Sequence, residues 1–195
     1  MKWICGNLSE FGSDKAEKVY RELSLSRKER IDRYKIADDR RRSLLGEYLV
    51  KELLKTEYSL YNATVESSEN GRPFLKESKL FISISHSGEK VVCAVGKRPI
   101  GIDIEKPKPI KYGLINRVCT DSEKLYVLDG CEQVADEVSD KGIISRFFEI
   151  WTGKEAYFKA QGTGITDFKS VEILSLKREV ITIGDYIVHI VENHT

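Results

Sequence analysis

KLFISISHSGEKVVCAVGKRPIGIDIE, residues Lys79–Glu105, is the stretch in which the fold can be read. At its start Leu80, Ile82 and Ile84 alternate with Phe81, Ser83 and Ser85, the two-residue period of a half-buried strand. KVVCAVG is a continuous apolar run that reads as a second strand, with Cys93 in the core. At its end Ile100, Ile102 and Ile104 alternate with Gly101, Asp103 and Glu105. Asp and Glu are poor strand formers, and burying either unpaired is costly. Two carboxylates between isoleucines therefore imply that something on their face of the strand calls for negative charge. GKRPIG, near the middle of the 195-residue chain, is the best boundary between an N-terminal lobe, 1–97, and a C-terminal lobe, 98–195.

On the N-terminal side, MKWIC reads as a short first strand. RKERIDRYKIADDRRRSLLGEYLVKELLK, 27–55, reads as helix, because Leu45, Leu49 and Leu53 recur every four residues and Leu44, Val50 and Leu54 widen the stripe. Its basic residues lie at or before the N-terminal part of a buried helix, where anions are often held. Asn70-Gly71 and Pro73 signal a turn. On the C-terminal side, residues 143–160 read as a second long helix closed by QGTG, and the tail alternates as a strand pair around Gly184-Asp185. The class expected is α+β with antiparallel strands.

Composition bounds the function. Lys+Arg 32 against Asp+Glu 31 gives a net charge of +1, which points to neither nucleic acid nor a membrane surface. Locally, 27–42 is basic, which suits a bound anion such as phosphate or a solvated helix face with internal ion pairs. The start of the chain carries no signal-peptide pattern, and no run approaches the length of a membrane span. Cys5, Cys93, Cys119 and Cys131 are scattered without zinc spacing, which fits a reducing cytoplasm.

Three groups of residues could do chemistry. Asp103 and Glu105, two apart on a strand, point the same way with roughly 6–7 Å between them. They could hold a cation such as Mg²⁺, or could simply line the wet face of an edge strand. Ser85 and His86 sit where a strand meets a turn. Adjacent residues on one strand diverge, so a Ser-His catalytic pair is disfavoured, and contact with phosphate or a structural hydrogen bond remain. Trp151, Glu155 and Lys159 fall on one helix face at i, i+4 and i+8. Taken singly, Glu155 and Lys159 could be only a surface ion pair.

Taken in order, NGRPFL, FISISHSG, IGIDIEKPKPI and FFEIWTGKEAYFKAQGTGI, with DRRRSLLG ahead of them, resemble the 4′-phosphopantetheinyl transferases, and among them the two-lobed, surfactin-synthetase-activating class. The resemblance runs from about Leu25 to Ile165. It departs from the family pattern at Ser83, where Asn is frequent, at Arg72, where Lys is frequent, and in a chain short for the class.

The resemblance implies a pseudo-dimer of two similar lobes with coenzyme A in the cleft between them. The implied reaction moves 4′-phosphopantetheine from coenzyme A to a serine of an acyl or peptidyl carrier protein, releasing adenosine 3′,5′-bisphosphate. Asp103, Glu105 and Glu123 would be ligands of Mg²⁺, with Mn²⁺ as a substitute. Glu155 would be the general base and Lys159 a phosphate contact. Lys28, Arg42, Arg72, Ser85 and His86 would bind coenzyme A. A cytoplasmic monomer of secondary metabolism, with no nucleic-acid or membrane partner, is expected. The alternative is a relative that binds coenzyme A or a carrier protein without transferring anything.

Overall fold

The computed structural model describes residues 1–69, 71–131, 135–165 and 167–193. Asn70 of the expected turn lies outside them, while Gly71 has the positive φ of 75° that such a turn requires. The first half contains β1 (Lys2–Asn7), α1 (Ser13–Arg21), α2 (Leu25–Asp32), α3 (Ala37–Tyr58), β2 (Thr64–Ser67), β3 (Pro73–Lys76), β4 (Phe81–Ser87) and β5 (Lys90–Gly96). The second contains β6 (Ile100–Glu105), β7 (Ile110–Lys111), α4 (Tyr112–Val118), α5 (Asp121–Leu128), β8 (Glu137–Val138), α6 (Lys141–Gln161), β9 (Glu179–Ile183) and β10 (Tyr186–Glu192).

The molecule is α+β, with small antiparallel sheets packed on helices. One three-stranded sheet has the order β1-β5-β4 and another β6-β10-β9. Alternate residues of β5 enter different cores, which explains its unbroken apolar sequence. Val91, Cys93 and Val95 pack with Leu45, Leu49 and Leu53 of α3. Val92 and Ala94 pack instead with Ile100, Ile102 and Ile104 of β6 and with Val188 and Ile190 of β10. The isoleucines of β6 thus join the two sheets, and its other face, Gly101, Asp103 and Glu105, turns away from that core.

That other face lies beneath α6. A Cβ on Gly101 would run into the carbonyl oxygen of Ala156 and stand 2.6 Å from the Ala160 amide nitrogen. Gly101 and the small Ala156 and Ala160 let the helix lie directly on the strand, with Val191 of β10 alongside. Gly101→Ala should therefore cost about 1–3 kcal/mol or more, because backbone atoms rather than a flexible side chain must move. A denaturant midpoint unchanged from wild type would show that the helix is not seated there.

Two expectations need correction. The basic segment and α3 are not one helix: Ile36 is extended (φ −96°, ψ 124°) and separates α2 from α3. Asp38 and Asp39 then occupy the first turn of α3, where the helix dipole favours negative charge. The tail is a strand pair only from Glu179 onward, since short 3₁₀ turns at Phe168–Ser170 and Ile173–Ser175 precede it. All four cysteines are unpaired thiols. Among the described residues no helix is long and apolar enough to cross a membrane.

Candidate functional site

Asp103 is only 4% exposed, and its two oxygens differ. Oδ1 accepts from the Ser85 hydroxyl at 2.6 Å and from the Lys159 ammonium at 2.6 Å. Oδ2 is buried with no hydrogen-bond partner. Lys159 Nζ also reaches Ser85 Oγ at 2.9 Å and the Ile102 carbonyl at 3.3 Å. Glu105, next along the same face, accepts from Ser87 Oγ through Oε2 at 2.8 Å. Strand β6 positions the two carboxylates and α6 brings Lys159 onto the first of them.

Glu155, one turn before Lys159 on α6, completes the electrostatics. Burial foremost, then the charge of Asp103 against the pull of Lys159, raises its pKa from the usual 4.5 to about 7, and Glu105 adds to the rise. Burial also pushes the Glu105 carboxyl up, opposed by the Ser87 hydrogen bond and reinforced by Asp103. Of these three half-buried or buried carboxylates only Asp103 is ion-paired, with Lys159, while Lys108 and Lys159 act on Glu105 through their charge alone. Beneath them His189, paired in register with Asp103, is fully buried with Nδ1 2.7 Å from Thr152 Oγ1. Burial drives its pKa down to about 3, so it stays neutral and lends the carboxylates no charge.

A cavity of about 570 Å³ opens beside this cluster, lined by Arg72, Ser83, Glu155, Phe158, Lys159 and Gly162, among others. Burial lowers the pKa of Arg72, and among the described residues no acid pairs with it. Its guanidinium lies where a Cβ on Gly162 would be, and Gly162 also supplies the left-handed cap (φ 74°) that ends α6.

The remaining expected residues fall in different places. Arg42, on α3, reaches the turn just after β4, donating to the Gly88 carbonyl at 2.8 Å, and also donates to Asp39 at 2.6 Å. It stands close enough to His86 that, after burial, its charge is the next cause of the lowered His86 pKa. Lys28 is directed elsewhere: Nζ donates to the Arg21 carbonyl at 3.0 Å and lies over the Tyr20 ring. Of its neighbours, Arg27 is buried on Glu47 and bonded to Ser67, whereas Arg30 abuts Gly71, the residue before Arg72. Arg30 is therefore the cation of α2 nearest the cavity.

Glu123 is committed to structure. It closes a capping box with Thr120, accepting from the Thr120 amide at 2.8 Å through Oε2, while Oε1 accepts from the Ile173 amide at 2.8 Å. Lys154 pairs with Oε2 at 2.5 Å, and both side chains have no exposed surface. Lys154 also donates to the carbonyls of Val118 and Phe168, so it is a buried tie between α4, α5 and α6. Among the described residues no three acids, histidines or cysteines are grouped closely enough to hold a metal ion. Glu123 does not join Asp103 and Glu105; the third carboxylate near that pair is Glu155.

Known proteins bear on the same residues. A family model for the 4′-phosphopantetheinyl transferase superfamily matches residues 99–191, and one for the 4′-phosphopantetheinyl transferase N-terminal region matches 13–98. The 4′-phosphopantetheinyl transferase Sfp of Bacillus subtilis (strain 168) is 33% identical over 147 residues, covering 74% of this chain and 62% of the relative. The 4′-phosphopantetheinyl transferase ffp of Bacillus subtilis is 31% identical over 176 residues, covering 89% of this chain and 73% of the relative. The 4′-phosphopantetheinyl transferase HetI of Nostoc is 30% identical over 161 residues, covering 77% of this chain and 64% of the relative. The chain thus spans less than two thirds of the length of Sfp and somewhat more of ffp. With these matches extending across both halves, the chain belongs to the 4′-phosphopantetheinyl transferase superfamily.

Proposed function

We propose that the protein transfers the 4′-phosphopantetheine group of coenzyme A to a serine hydroxyl of an acyl or peptidyl carrier protein, releasing adenosine 3′,5′-bisphosphate. The single observation that carries this reading is the cluster of Asp103, Glu105, Glu155 and Lys159, brought together by β6 and α6 at the edge of a cavity with Arg72. The two sheet-and-helix units, 1–97 and 98–195, are read as similar lobes of a pseudo-dimer with coenzyme A bound between them. In favour are the two three-stranded antiparallel sheets, one in each unit, and the two family matches that meet at residue 98.

The donors fit a divalent cation of the Mg²⁺ type. Asp103 Oδ2 is a buried oxygen without a partner, and of the three carboxylates only Asp103 is in an ion pair among the described residues. Mg²⁺ takes one or two carboxylates and completes its shell with water and substrate phosphate, so a ready-made protein cage is not required. Asp103 and Glu105 are its ligands in this reading, and Mn²⁺ would take the same place. When bound, the ion supplies neutralisation of charge on the diphosphate.

The chain's own groups do the rest. Arg72, Arg30 and Arg42, with Ser85 and His86, bind the phosphates and nucleotide of coenzyme A. Lys159 contacts phosphate. Glu155 takes the proton from the attacking serine, directly or through water, as the new P–O bond forms and the bond to the bisphosphate leaving group breaks. The protein is read as a cytoplasmic monomer, in keeping with its unpaired cysteines. The test is incubation with coenzyme A, Mg²⁺ and an apo-carrier domain, following release of adenosine 3′,5′-bisphosphate. Coenzyme A binding without nucleotide release would make the protein a binding relative.

Arg72→Ala and Arg42→Ala should raise KM for coenzyme A more than they lower kcat, since contacts to a remote phosphate act on ground and transition state alike. Each lost charge-assisted contact is worth about 1.5–3 kcal/mol. Dephospho-coenzyme A, which lacks the 3′-phosphate, provides the check. If wild type and variants prefer coenzyme A over it by the same ratio, these arginines do not read that phosphate.

A further inference from the structure

Strands β4 and β6 lie in different sheets and share no backbone ladder. Serine side chains on one face of β4 span the gap. Ser83 Oγ accepts from the Ile102 amide at 3.0 Å, Ser85 Oγ donates to Asp103, and Ser87 Oγ donates to Glu105. The period of two in S-I-S-H-S is in step with the period of two in D-I-E.

The polarity of the last two bonds is determined by their surroundings. A hydroxyl has a single proton. Ser87 Oγ also accepts from the Lys106 amide at 3.2 Å, so its own proton is directed to Glu105 Oε2. In the same way Ser85 Oγ receives Lys159 Nζ and gives its proton to Asp103 Oδ1. Each carboxylate therefore has one oxygen pinned by a serine, while Asp103 Oδ2 has no partner and Glu105 Oε1 has none among the described residues.

We propose that Ser87 is a positioning residue: by holding Glu105 Oε2 it fixes the rotamer that presents Oε1 beside Asp103 Oδ2, so that the two unpartnered oxygens face one cation. The proposal rests on the reading of Asp103 and Glu105 as ligands. Groups that orient a metal ligand commonly contribute about 10–100-fold to metal affinity.

The experiment is Mn²⁺ titration of the full chain, without coenzyme A or carrier, for wild type, Ser87→Ala, Ser87→Thr and Glu105→Gln, each with its melting temperature. Ser87→Ala should weaken Mn²⁺ binding roughly tenfold, and Ser87→Thr, which keeps the hydroxyl, should remain within about threefold of wild type. In turnover, Ser87→Ala should raise the Mg²⁺ concentration at half-maximal rate by a similar factor and keep kcat at saturating Mg²⁺. A merely structural serine would shift the melting temperature without that split. If Ser87→Ala does not stay folded, Ser87→Cys, close in size but a weak donor, gives the same comparison. Ser87→Ala binding Mn²⁺ as wild type does, while Glu105→Gln loses it, would overturn the positioning role and leave the metal assignment standing. Wild type that binds no Mn²⁺ would overturn both.

Discussion

Glu155→Gln is expected to lower single-turnover transfer by roughly 10²–10⁴ at neutral pH while leaving coenzyme A binding little changed. Gln keeps the size of the side chain and cannot accept the serine proton. Burial and Asp103 raise the pKa of Glu155 to about 7, which makes it a proton acceptor matched to neutral pH. The wild-type rate should rise with pH through an acidic limb that Glu155→Gln lacks. Stability should move the other way. A carboxyl whose folded-state pKa lies above its ordinary 4.5 holds its proton more firmly in the folded protein, so this stabilisation is full below about 4.5 and is lost as pH rises through about 7. Metal-free Glu155→Gln should therefore lose less stability than wild type between those values. If Glu155 were only a helix-surface partner of Lys159, the substitution would cost a few tenths of a kcal/mol and leave transfer within a few-fold of wild type.

Asp103→Asn should nearly abolish transfer and Mn²⁺ binding together. It preserves shape but removes the charge that Lys159 and, in the proposed site, the metal both use. Loss of charge stabilisation worth several kcal/mol at the diphosphate corresponds to a fall of roughly 10³ or more in rate. The Lys159 ammonium would also lose its only carboxylate partner among the described residues, so a modest drop in stability should accompany the loss. The fold itself should survive, since the isoleucines that join the sheets lie on the opposite face of β6. Near-normal transfer by Asp103→Asn at ordinary Mg²⁺ concentrations would remove Asp103 from the site.

Much of this was legible in the sequence because period-two alternation survives in the fold. Leu80–Ser85 and Ile100–Glu105 read as strands, and β4 and β6 occupy those stretches. The oddity of two acids between isoleucines is resolved by a strand with a sheet on one face and α6 on the other. The break between α2 and α3 left no clear trace, because the segment from Arg27 to Arg42 is mostly charged and holds neither glycine nor proline, and its few apolar residues, Ile31, Tyr34, Ile36 and Ala37, do not mark where one helix ends. Lys28 and Arg30 could not be told apart, since the docking of α2 decides which side of the helix meets Gly71. Glu123 is different: T-D-S-E is itself a capping-box pattern, and reading it as one would have set Glu123 aside from the metal. The serines of β4 were visible in the sequence, but their partners on β6 depend on how two separate sheets meet.

Whether Asp103, Glu105, Glu155 and Lys159 together perform phosphopantetheine transfer can be read from the intact mass of an apo-carrier domain. The carrier is incubated with coenzyme A and Mg²⁺, and with wild type or Glu155→Gln side by side. Wild-type protein should add one phosphopantetheine to the carrier serine, and the variant, at equal time and saturating substrates, should leave nearly all of the carrier in the apo form. A carrier unmodified by wild type, or modified equally by both proteins, would contradict that role for the cluster.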